Sequence, residues 1–248
     1  MPKQRLDDLL VSRNLIENKS KARALIMTGD VRVNGLAITK PGTIVPDSST
    51  IEIHKKPPYV SRGGIKLAQA LDSFKVDVTL CIALDVGAST GGFTDCLLQR
   101  GAQRVYAVDV GYGQIDYKLR QDTRVVVMDK TNAHHPFRLP EKVDIATMDV
   151  SFISVTKVIP NVIPHLNENG QIIALIKPQF EAEREDVGKG GIITDPLIHA
   201  RVLGKVILWA IEQKLRIRNL TASPITGAEG NREFLLHLQL QTNIIESG

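Results

Sequence analysis

The chain has 248 residues, of which 43% are hydrophobic, and a formal net charge of +4. This length accommodates one large domain, or a small domain joined to a standard α/β domain, and the hydrophobic fraction argues against general disorder. No uninterrupted apolar run approaches the roughly 18 residues that suggest a membrane span, and the N-terminus lacks an apolar signal core, so we expect a cytoplasmic protein that does not contact membranes.

The charge is distributed unevenly along the chain. Residues 1–66 hold 12 lysines and arginines against 6 aspartates and glutamates, whereas the remaining residues hold 19 against 21. A basic N-terminal part attached to a near-neutral body indicates a polyanionic partner that is bound mainly by the N-terminal part. Solvated lysines on any surface would give the same excess, so charge alone leaves both interpretations open.

The N-terminal part is predicted to contain two short helices and a hairpin. Apolar residues within 6–11 share one face of the first helix, and Ser20 is predicted to cap a second helix over 21–28. Alternating apolar residues around the Asn-Gly pair at 34–35 predict a β-hairpin, and residues 51–53 a further strand.

The basic, proline-containing stretch at 54–58 is predicted to link two domains. The first domain is expected over residues 1–58 and the second over residues 59–248.

From Lys66 onward, predicted strands alternate with helices. The strands are expected at 81–86, 104–109, 125–128, 143–148, 171–176, 216–222 and 234–241, and the clearest helix at 196–214. This order predicts a doubly wound, Rossmann-like α/β domain with a mostly parallel sheet, preceded by a small α+β domain. Its ligand should bind beyond the carboxyl ends of the strands.

A glycine-rich loop follows the first strand of the second domain. Residues 85–93 read Asp-Val-Gly-Ala-Ser-Thr-Gly-Gly-Phe, and such glycines let the backbone turn sharply and approach a ligand at a helix N-terminus. Ser89 stands where the dinucleotide fingerprint has its second glycine, and no Gly-Lys-Ser/Thr follows as a P-loop requires. A carboxylate at Asp85 would oppose a pyrophosphate but suits a ligand that carries an amine or a sulfonium.

Two more aspartates end the following strands. Asp109 could accept hydrogen bonds from two ribose hydroxyls, and Asp129 could pair with an adenine edge. Together with the loop they indicate a pocket for S-adenosylmethionine, although a tight turn and helix-capping aspartates would be the structural alternative. The candidate cofactor-binding residues are Asp85, Gly87, Ala88, Ser89, Gly91, Gly92, Phe93, Asp109, Val110 and Asp129.

A set of lysines and carboxylates is expected at the same edge of the sheet. Asp149 follows the fourth strand and Lys177 the fifth, while Glu233 begins the last strand and Lys66 begins the domain. Methyl transfer to a hydroxyl requires the removal of a proton, and a lysine with a lowered pKa beside a sulfonium can accept it. Nearby carboxylates would work against this by favouring the charged amine, unless they serve to orient it.

The residues that other classes of methyltransferase require are missing from this sequence. An amine-methylating enzyme would usually carry Asn/Asp-Pro-Pro-aromatic where residues 149–152 stand, and a cytosine C5 methyltransferase needs a strand-end cysteine, whereas Cys96 falls within a predicted helix. The histidines show no metal-ligand spacing, so we expect no metal site.

Seven short motifs carry a further signal. They lie at residues 5–7, 20–23, 29–35, 61–67, 85–95, 109–114 and 149–154. The first three resemble the S4-type RNA-binding domain of ribosomal proteins and RNA-modifying enzymes. The other four are similar to the TlyA family, which joins an S4-type domain to an FtsJ-like methyltransferase domain and whose members are often labelled haemolysin A.

This resemblance implies S-adenosylmethionine-dependent 2′-O-methylation of ribosomal RNA, at cytidines in the best-known members, with ribosomal RNA or ribosomal subunits as partner. It also implies a Lys-Asp-Lys-Glu catalytic tetrad, which Lys66, Asp149, Lys177 and Glu233 match. The basic residues expected to contact RNA are Arg5, Lys19, Lys21, Arg23, Arg32 and Arg62.

Two alternatives belong to other functional classes. The haemolysin label suggests a membrane-active protein, but the sequence contains neither a spanning segment nor an unusual amphipathic helix. A non-catalytic ribosome-binding factor would not require Asp149 and Lys177 at strand ends.

Overall fold

The structure is a computed structural model that describes residues 2–53 and 57–241. Contacts divide the chain into two compact units, Met1–Pro57 and Pro58–Gly248. Residues 54–56 of the predicted linker lie outside the described residues.

The N-terminal unit is a small α+β fold. Its elements are β1 (Lys3–Arg5), α1 (Leu6–Ser12), α2 (Lys19–Met27), β2 (Val31–Val33), β3 (Leu36–Ile38), β4 (Ile44–Pro46) and β5 (Ile51–Ile53). Strand β1 pairs with β4, and β2 lies between β3 and β5 in a second antiparallel sheet. The buried core comprises Leu6, Leu9, Leu10, Ala22, Ile26, Val31, Val33 and Val45.

Local chemistry explains how this unit folds. The predicted hairpin is confirmed: Val33 pairs with Leu36, and Asn34 and Gly35 between them both have positive φ angles, 51° and 82°, as a type I′ turn requires. The predicted cap of the second helix is wrong. Asn18 caps α2 by accepting a hydrogen bond from the Lys21 backbone N at 2.9 Å, and Ser20 lies inside the helix.

The C-terminal unit alternates strands and helices. Its helices are α3 (Gly63–Phe74), α4 (Gly92–Gln99), α5 (Tyr117–Gln121), α6 (Val155–Val162), α7 (Pro178–Glu181) and α8 (Pro196–Glu212). Its strands are β6 (Ile82–Val86), β7 (Arg104–Val108), β8 (Val125–Met128), β9 (Val143–Met148), β10 (Leu166–Ile176), β11 (Leu215–Ala222) and β12 (Phe234–Leu240). Short 3₁₀ turns occupy Ile163–His165, Arg184–Asp186 and Lys189–Gly191.

The seven strands form one sheet in the order β11-β12-β10-β9-β6-β7-β8. Strand β12 is antiparallel to both of its neighbours, and the pairs among β10, β9, β6, β7 and β8 are parallel. This confirms the predicted doubly wound, mostly parallel α/β fold. The chain runs from β6 to β7 and β8 on one side and returns to β9 on the other, so a crevice is expected beyond β6 and β9.

Both faces of the sheet are covered. In β10, Ile172, Ala174 and Ile176 belong to one core cluster, whereas Ile173 and Leu175 belong to the cluster on the opposite face. All five are fully buried. A central parallel strand with two covered faces accounts for the continuous apolar run in the sequence.

Candidate active site

Two adjoining cavities lie beyond the carboxyl ends of β6 and β9, in the crevice that the strand order predicts. The first is lined by Ser61, Gly63, Gly87, Ala88, Ser89, Thr90, Gly92, Phe93, Asp149, Ser151 and Lys177. The second shares Gly87, Ser89, Asp149 and Ser151 with the first and extends past Asp109 and Val110 to residues 131–134 and 149–153.

The glycine-rich loop lines both cavities and requires glycine for steric reasons. Gly87 has φ +80°, and a Cβ atom there would lie 2.6 Å from the backbone O of Asp149. A Cβ atom on Gly92 would lie 2.2 Å from Ser61 Oγ and 2.9 Å from the Gly64 backbone N. The loop therefore packs directly against the segment after β9 and the start of α3, and larger residues would push these segments apart.

Asp109 lies on the wall of the second cavity with its carboxylate fixed. Its Oδ2 accepts a hydrogen bond from the Ser89 backbone N at 2.8 Å, and its Oδ1 accepts one from the Gly111 backbone N at 2.7 Å. Each carboxylate oxygen can accept a second hydrogen bond. The side chain is thus oriented and still able to bind a pair of hydroxyls.

Asp85 departs from the expectation that it faces a cationic ligand. Its side chain is fully buried and lines neither cavity. It accepts hydrogen bonds from Thr94 Oγ1 at 2.7 Å and Thr147 Oγ1 at 3.2 Å, which tie β6 to α4 and β9. Burial raises the pKa of the Asp85 carboxyl to about 7; the two threonines oppose this rise and nearby Asp149 adds to it.

We expect the Asp85→Asn substitution to change how stability depends on pH. The folded-state pKa of about 7 lies above the ordinary value of 3.8, so the folded protein keeps a proton that the unfolded chain loses. Between pH 3.8 and about 7 the wild-type free energy of unfolding should therefore fall, relative to that of the variant, as the pH rises. Denaturant unfolding at several pH values measures the difference. The exposed Asp77, whose pKa is lowered by hydrogen bonds from Thr79, provides the control variant Asp77→Asn. A pH-independent difference for Asp85→Asn would contradict the protonated state.

Asp129, which was predicted to pair with an adenine edge, also departs from its expected position. It forms an ion pair with Arg120, with an N–O distance of 3.1 Å, and lines neither cavity. The wall of the second cavity is formed instead by residues 131–134. Asn161 of α6 donates hydrogen bonds to the carbonyl oxygens of Ala133 and His134 at 3.1 and 2.8 Å, and so fixes that wall. Sequence reasoning missed Asn161 because its partners are 27 and 28 residues away.

The predicted tetrad forms two ion pairs. Lys177 Nζ lies 2.7 Å from Asp149 Oδ1 and donates a hydrogen bond to Ser151 Oγ, also at 2.7 Å. Lys66 and Glu233 form the second pair, and both of their side chains are buried. Of these four described residues, only Lys177 and Asp149 line the first cavity.

The sheet register brings the two pairs to one edge. Ile176 of β10 pairs with Phe234 of β12, so the next residues, Lys177 and Glu233, are opposite each other. Asp149 directly follows β9, which is the other neighbour of β10. The parallel and antiparallel neighbours of one strand therefore supply both carboxylates, and Lys66 reaches the edge from α3.

The predicted RNA-binding cations of the N-terminal unit are mostly engaged within that unit. Arg5 and Arg23 both contact the buried carboxylate of Asp7, at 2.9 and 3.0 Å, and hold the pKa of Asp7 well below its usual range. Lys19 pairs with Asp8 at 2.5 Å, and Lys21 with Glu17 at 2.5 Å.

Two of the predicted cations lie elsewhere. Arg32 is exposed at the centre of β2 and forms no ion pair among the described residues. Arg62 of the C-terminal unit donates a hydrogen bond to the Thr226 backbone O at 2.7 Å. Arg32 and the exposed Lys21 are therefore the cations of this unit that can contact a phosphate with the least loss of contacts inside the protein.

Two family models match the two parts of the chain. A model of the FtsJ-like methyltransferase family matches residues 59–240, and a model of the S4 domain matches residues 4–51. A candidate rRNA methyltransferase of Bacillus subtilis is 48% identical over 244 residues, which cover 95% of this chain and 85% of the relative. The TlyA 16S/23S rRNA (cytidine-2′-O)-methyltransferase of Mycobacterium tuberculosis is 42% identical, with 96% of this chain and 91% of the relative covered.

A solved structure is similar over the whole chain. A candidate hemolysin from Streptococcus thermophilus has a TM-score of 0.73 and 42% sequence identity, covering 100% of this chain and 93% of that chain. Within the described residues, no helix is both long enough and apolar enough to span a membrane.

Proposed function

The chain belongs to the FtsJ-like methyltransferase family, and from this premise we propose that it methylates a ribose 2′-hydroxyl of ribosomal RNA, at cytidine, with S-adenosylmethionine as methyl donor. One observation carries the proposal: Lys177 Nζ, 2.7 Å from Asp149, lines a cavity beside the glycine-rich loop. The choice of cytidine follows the name of the mycobacterial relative.

The residues of the crevice suit this methyl donor. Asp109 has the fixed carboxylate that a ribose diol needs, and Gly87 lets the loop pack closely against Asp149, where a Cβ atom would clash. Val110 and the loop at 131–134 form the wall on which an adenine can lie. When bound, S-adenosylmethionine supplies an electrophilic methyl group on a sulfonium. We assign this binding to the second cavity and to the glycine-rich loop that it shares with the first.

The role proposed for Lys177 is to hold the hydroxyl and take its proton. Asp149 and Ser151 fix the Lys177 amine from one side, so that its remaining N–H bonds or lone pair face the cavity. General-base assistance of this kind typically contributes a factor of about 10²–10⁴ in rate. Lys66 and Glu233 form a buried ion pair, and we propose that Glu233, opposite Lys177 at the ends of β12 and β10, helps to orient this edge of the sheet.

The N-terminal unit is proposed to bind the RNA. Its match to the S4 domain and the rRNA-methyltransferase names of the relatives support this role, and they favour ribosomal RNA as the substrate. We propose a division of labour at residue 58, with RNA binding before it and methyl transfer after it.

Methyl incorporation tests the proposed function. Purified protein is incubated with tritium-labelled S-adenosylmethionine and ribosomal subunits from cells that lack the gene, and 2′-O-methyl positions are mapped on the recovered RNA. Label at a cytidine 2′-oxygen supports the proposal, and label on a base overturns the choice of acceptor. Leakage from liposomes without methyl incorporation would favour a membrane-active protein.

The cofactor site can be tested separately. Asp109→Ala should weaken binding of S-adenosylmethionine by roughly 1.5–3 kcal/mol, the range for hydrogen bonds to a charged group. Part of this loss would come from the Ser89 backbone, which no longer has the Asp109 carboxylate as its hydrogen-bond acceptor. Calorimetry measures the affinity. Asp129→Ala is the matched control, because Asp129 pairs with Arg120 outside the cavity, and it should change the affinity little. Equal affinities for wild type and Asp109→Ala would place Asp109 outside the pocket.

A further inference from the structure

Glu181 is a buried carboxylate next to the proposed catalytic pair. It ends α7, four residues after Lys177, and is only 6% exposed. Its Oε2 accepts a hydrogen bond from Ser154 Oγ at 2.5 Å, and its Oε1 accepts one from the Val155 backbone N at 2.8 Å. A buried carboxylate is costly unless it is hydrogen-bonded, so these two contacts are needed to keep it there.

These hydrogen bonds join the two segments that carry the catalytic groups. Residues 149–155 follow β9 and residues 177–181 follow β10, and they contact each other at successive points. Lys177 contacts Asp149 and Ser151, the rings of Phe180 and Phe152 are 5.0 Å apart, and Glu181 closes the series at residues 154 and 155. The two segments are thus fastened at both ends.

The segment after β9 needs such fastening. Phe152 has φ +63°, a left-handed conformation that is unfavourable for a bulky residue, and its side chain is 91% exposed. Strained backbone of this kind persists only where its surroundings hold it in place. The long, flexible side chain of Lys177 cannot by itself fix the segment that bears its own partner.

We infer that Glu181 is a positioning residue, which holds the segment from Asp149 to Ser154 in place and thereby keeps the Asp149 carboxylate on the Lys177 amine. The inference rests on the proposed function, in which Lys177 acts on the ribose hydroxyl. Glu181 lines neither of the two cavities, so it acts through the segment and not on the substrate.

A structural role alone would be to cap α6. Ser154 already accepts a hydrogen bond from the Thr156 backbone N at 3.2 Å and caps this helix. Loss of a cap lowers stability and has no reason to change the turnover number selectively. Asp195, which caps α8 by accepting from the Leu197 backbone N at 2.8 Å, offers a control for cap loss in the same unit.

The test measures kcat for methyl transfer, KM for RNA, the affinity for S-adenosylmethionine and the melting temperature. Glu181→Ala should lower kcat by roughly 10–100-fold, since a misplacement of about 1 Å can cost 10²-fold, with cofactor affinity unchanged within about threefold. Glu181→Gln should keep most of the activity, because the amide oxygen can accept from Val155 N while the amide nitrogen donates to Ser154 Oγ. Glu183→Ala, at an exposed glutamate two residues further on, and Asp195→Ala should keep the wild-type kcat.

Ser154→Ala makes the test independent of the folding of Glu181→Ala. It removes one of the two hydrogen bonds and should lower kcat several-fold. In the double variant Ser154→Ala/Glu181→Ala the two losses should be less than additive, because both substitutions break the same contact between Ser154 and Glu181. Wild-type kcat in Ser154→Ala and in any folded Glu181→Ala protein would overturn the inference. Equal losses of kcat, cofactor affinity and stability in Glu181→Ala and Glu181→Gln would also overturn it, in favour of a general structural role. Absence of methyl incorporation by the wild-type protein would instead overturn the proposed function, and the inference with it.

Discussion

Replacing Lys177 with alanine is expected to abolish methyl transfer to RNA while the affinity for S-adenosylmethionine stays within a few fold of wild type. The Lys177 amine contacts Asp149 and Ser151 and lines the first cavity, whereas the proposed ribose contact, Asp109, lies in the second. A rate loss of about 10²–10⁴ corresponds to the removal of a general base. Filter-bound tritium and calorimetry on the same preparation measure the two quantities.

Two further substitutions separate the possible roles of the amine. Lys177→Arg should also be inactive, because a guanidinium does not give up its proton near neutral pH. Lys177→Met keeps most of the length of the side chain and tests its packing without the charge. Lys205→Ala removes an exposed lysine that pairs with Glu183 and should be fully active. An active arginine variant would show that Lys177 positions the hydroxyl and does not accept its proton.

The fold was predictable because its signals are local and repeated. The apolar run of β10 and the Asn-Gly pair at 34–35 each satisfy a strong short-range rule, and both appear in the structure as expected. Strands β1 and β4 were not predicted. Each has three residues, too few for a periodic pattern, and they pair across about 40 residues of chain.

The candidate site was predictable in position but not in orientation. A residue at the end of a parallel strand lies at the ligand-binding edge, which placed Asp149, Lys177 and Asp109 correctly beside the cavities. Strand-end position does not say where the side chain points. Asp85 is still within β6, between Ala107 and Thr147 of the neighbouring strands, and is therefore buried.

The partners of charged residues were the least predictable feature. Arg23 meets Asp7 from 16 residues away, and only the packing of α1 against α2 brings them together. A count of cations in the N-terminal part does not reveal such contacts. In the structure Arg5 and Arg23 both contact the buried Asp7 carboxylate.

Removing residues 1–57 should cost most of the affinity for RNA and most of the methylation, while the remaining chain still binds S-adenosylmethionine. Both cavities and two large core clusters lie within the unit Pro58–Gly248, so we expect that unit to fold without the first. Binding to phosphates releases counterions, so affinity for RNA should fall steeply with salt in the full chain and less steeply in the truncated one. Calorimetry with S-adenosylmethionine checks that the truncated protein is intact.

Point substitutions in the full chain decide whether the N-terminal cations themselves bind RNA. Lys21→Gln breaks only an exposed ion pair, which contributes little to stability. At Arg32, glutamine is preferred to glutamate because Arg32 lies opposite Glu52 in the pairing of β2 with β5, and two carboxylates there would repel each other. Each substitution should leave the melting temperature unchanged, weaken RNA binding and reduce the salt slope by about 1.

Arg23→Gln should instead lower the melting temperature, since it deprives the buried Asp7 of a partner. Arg216→Gln, on the exposed side of edge strand β11, serves as the control for loss of a cation from the C-terminal unit. If the Lys21→Gln/Arg32→Gln double variant binds RNA with wild-type affinity at both low and high salt, these cations only solvate the unit, and its assignment as the RNA-binding module is wrong.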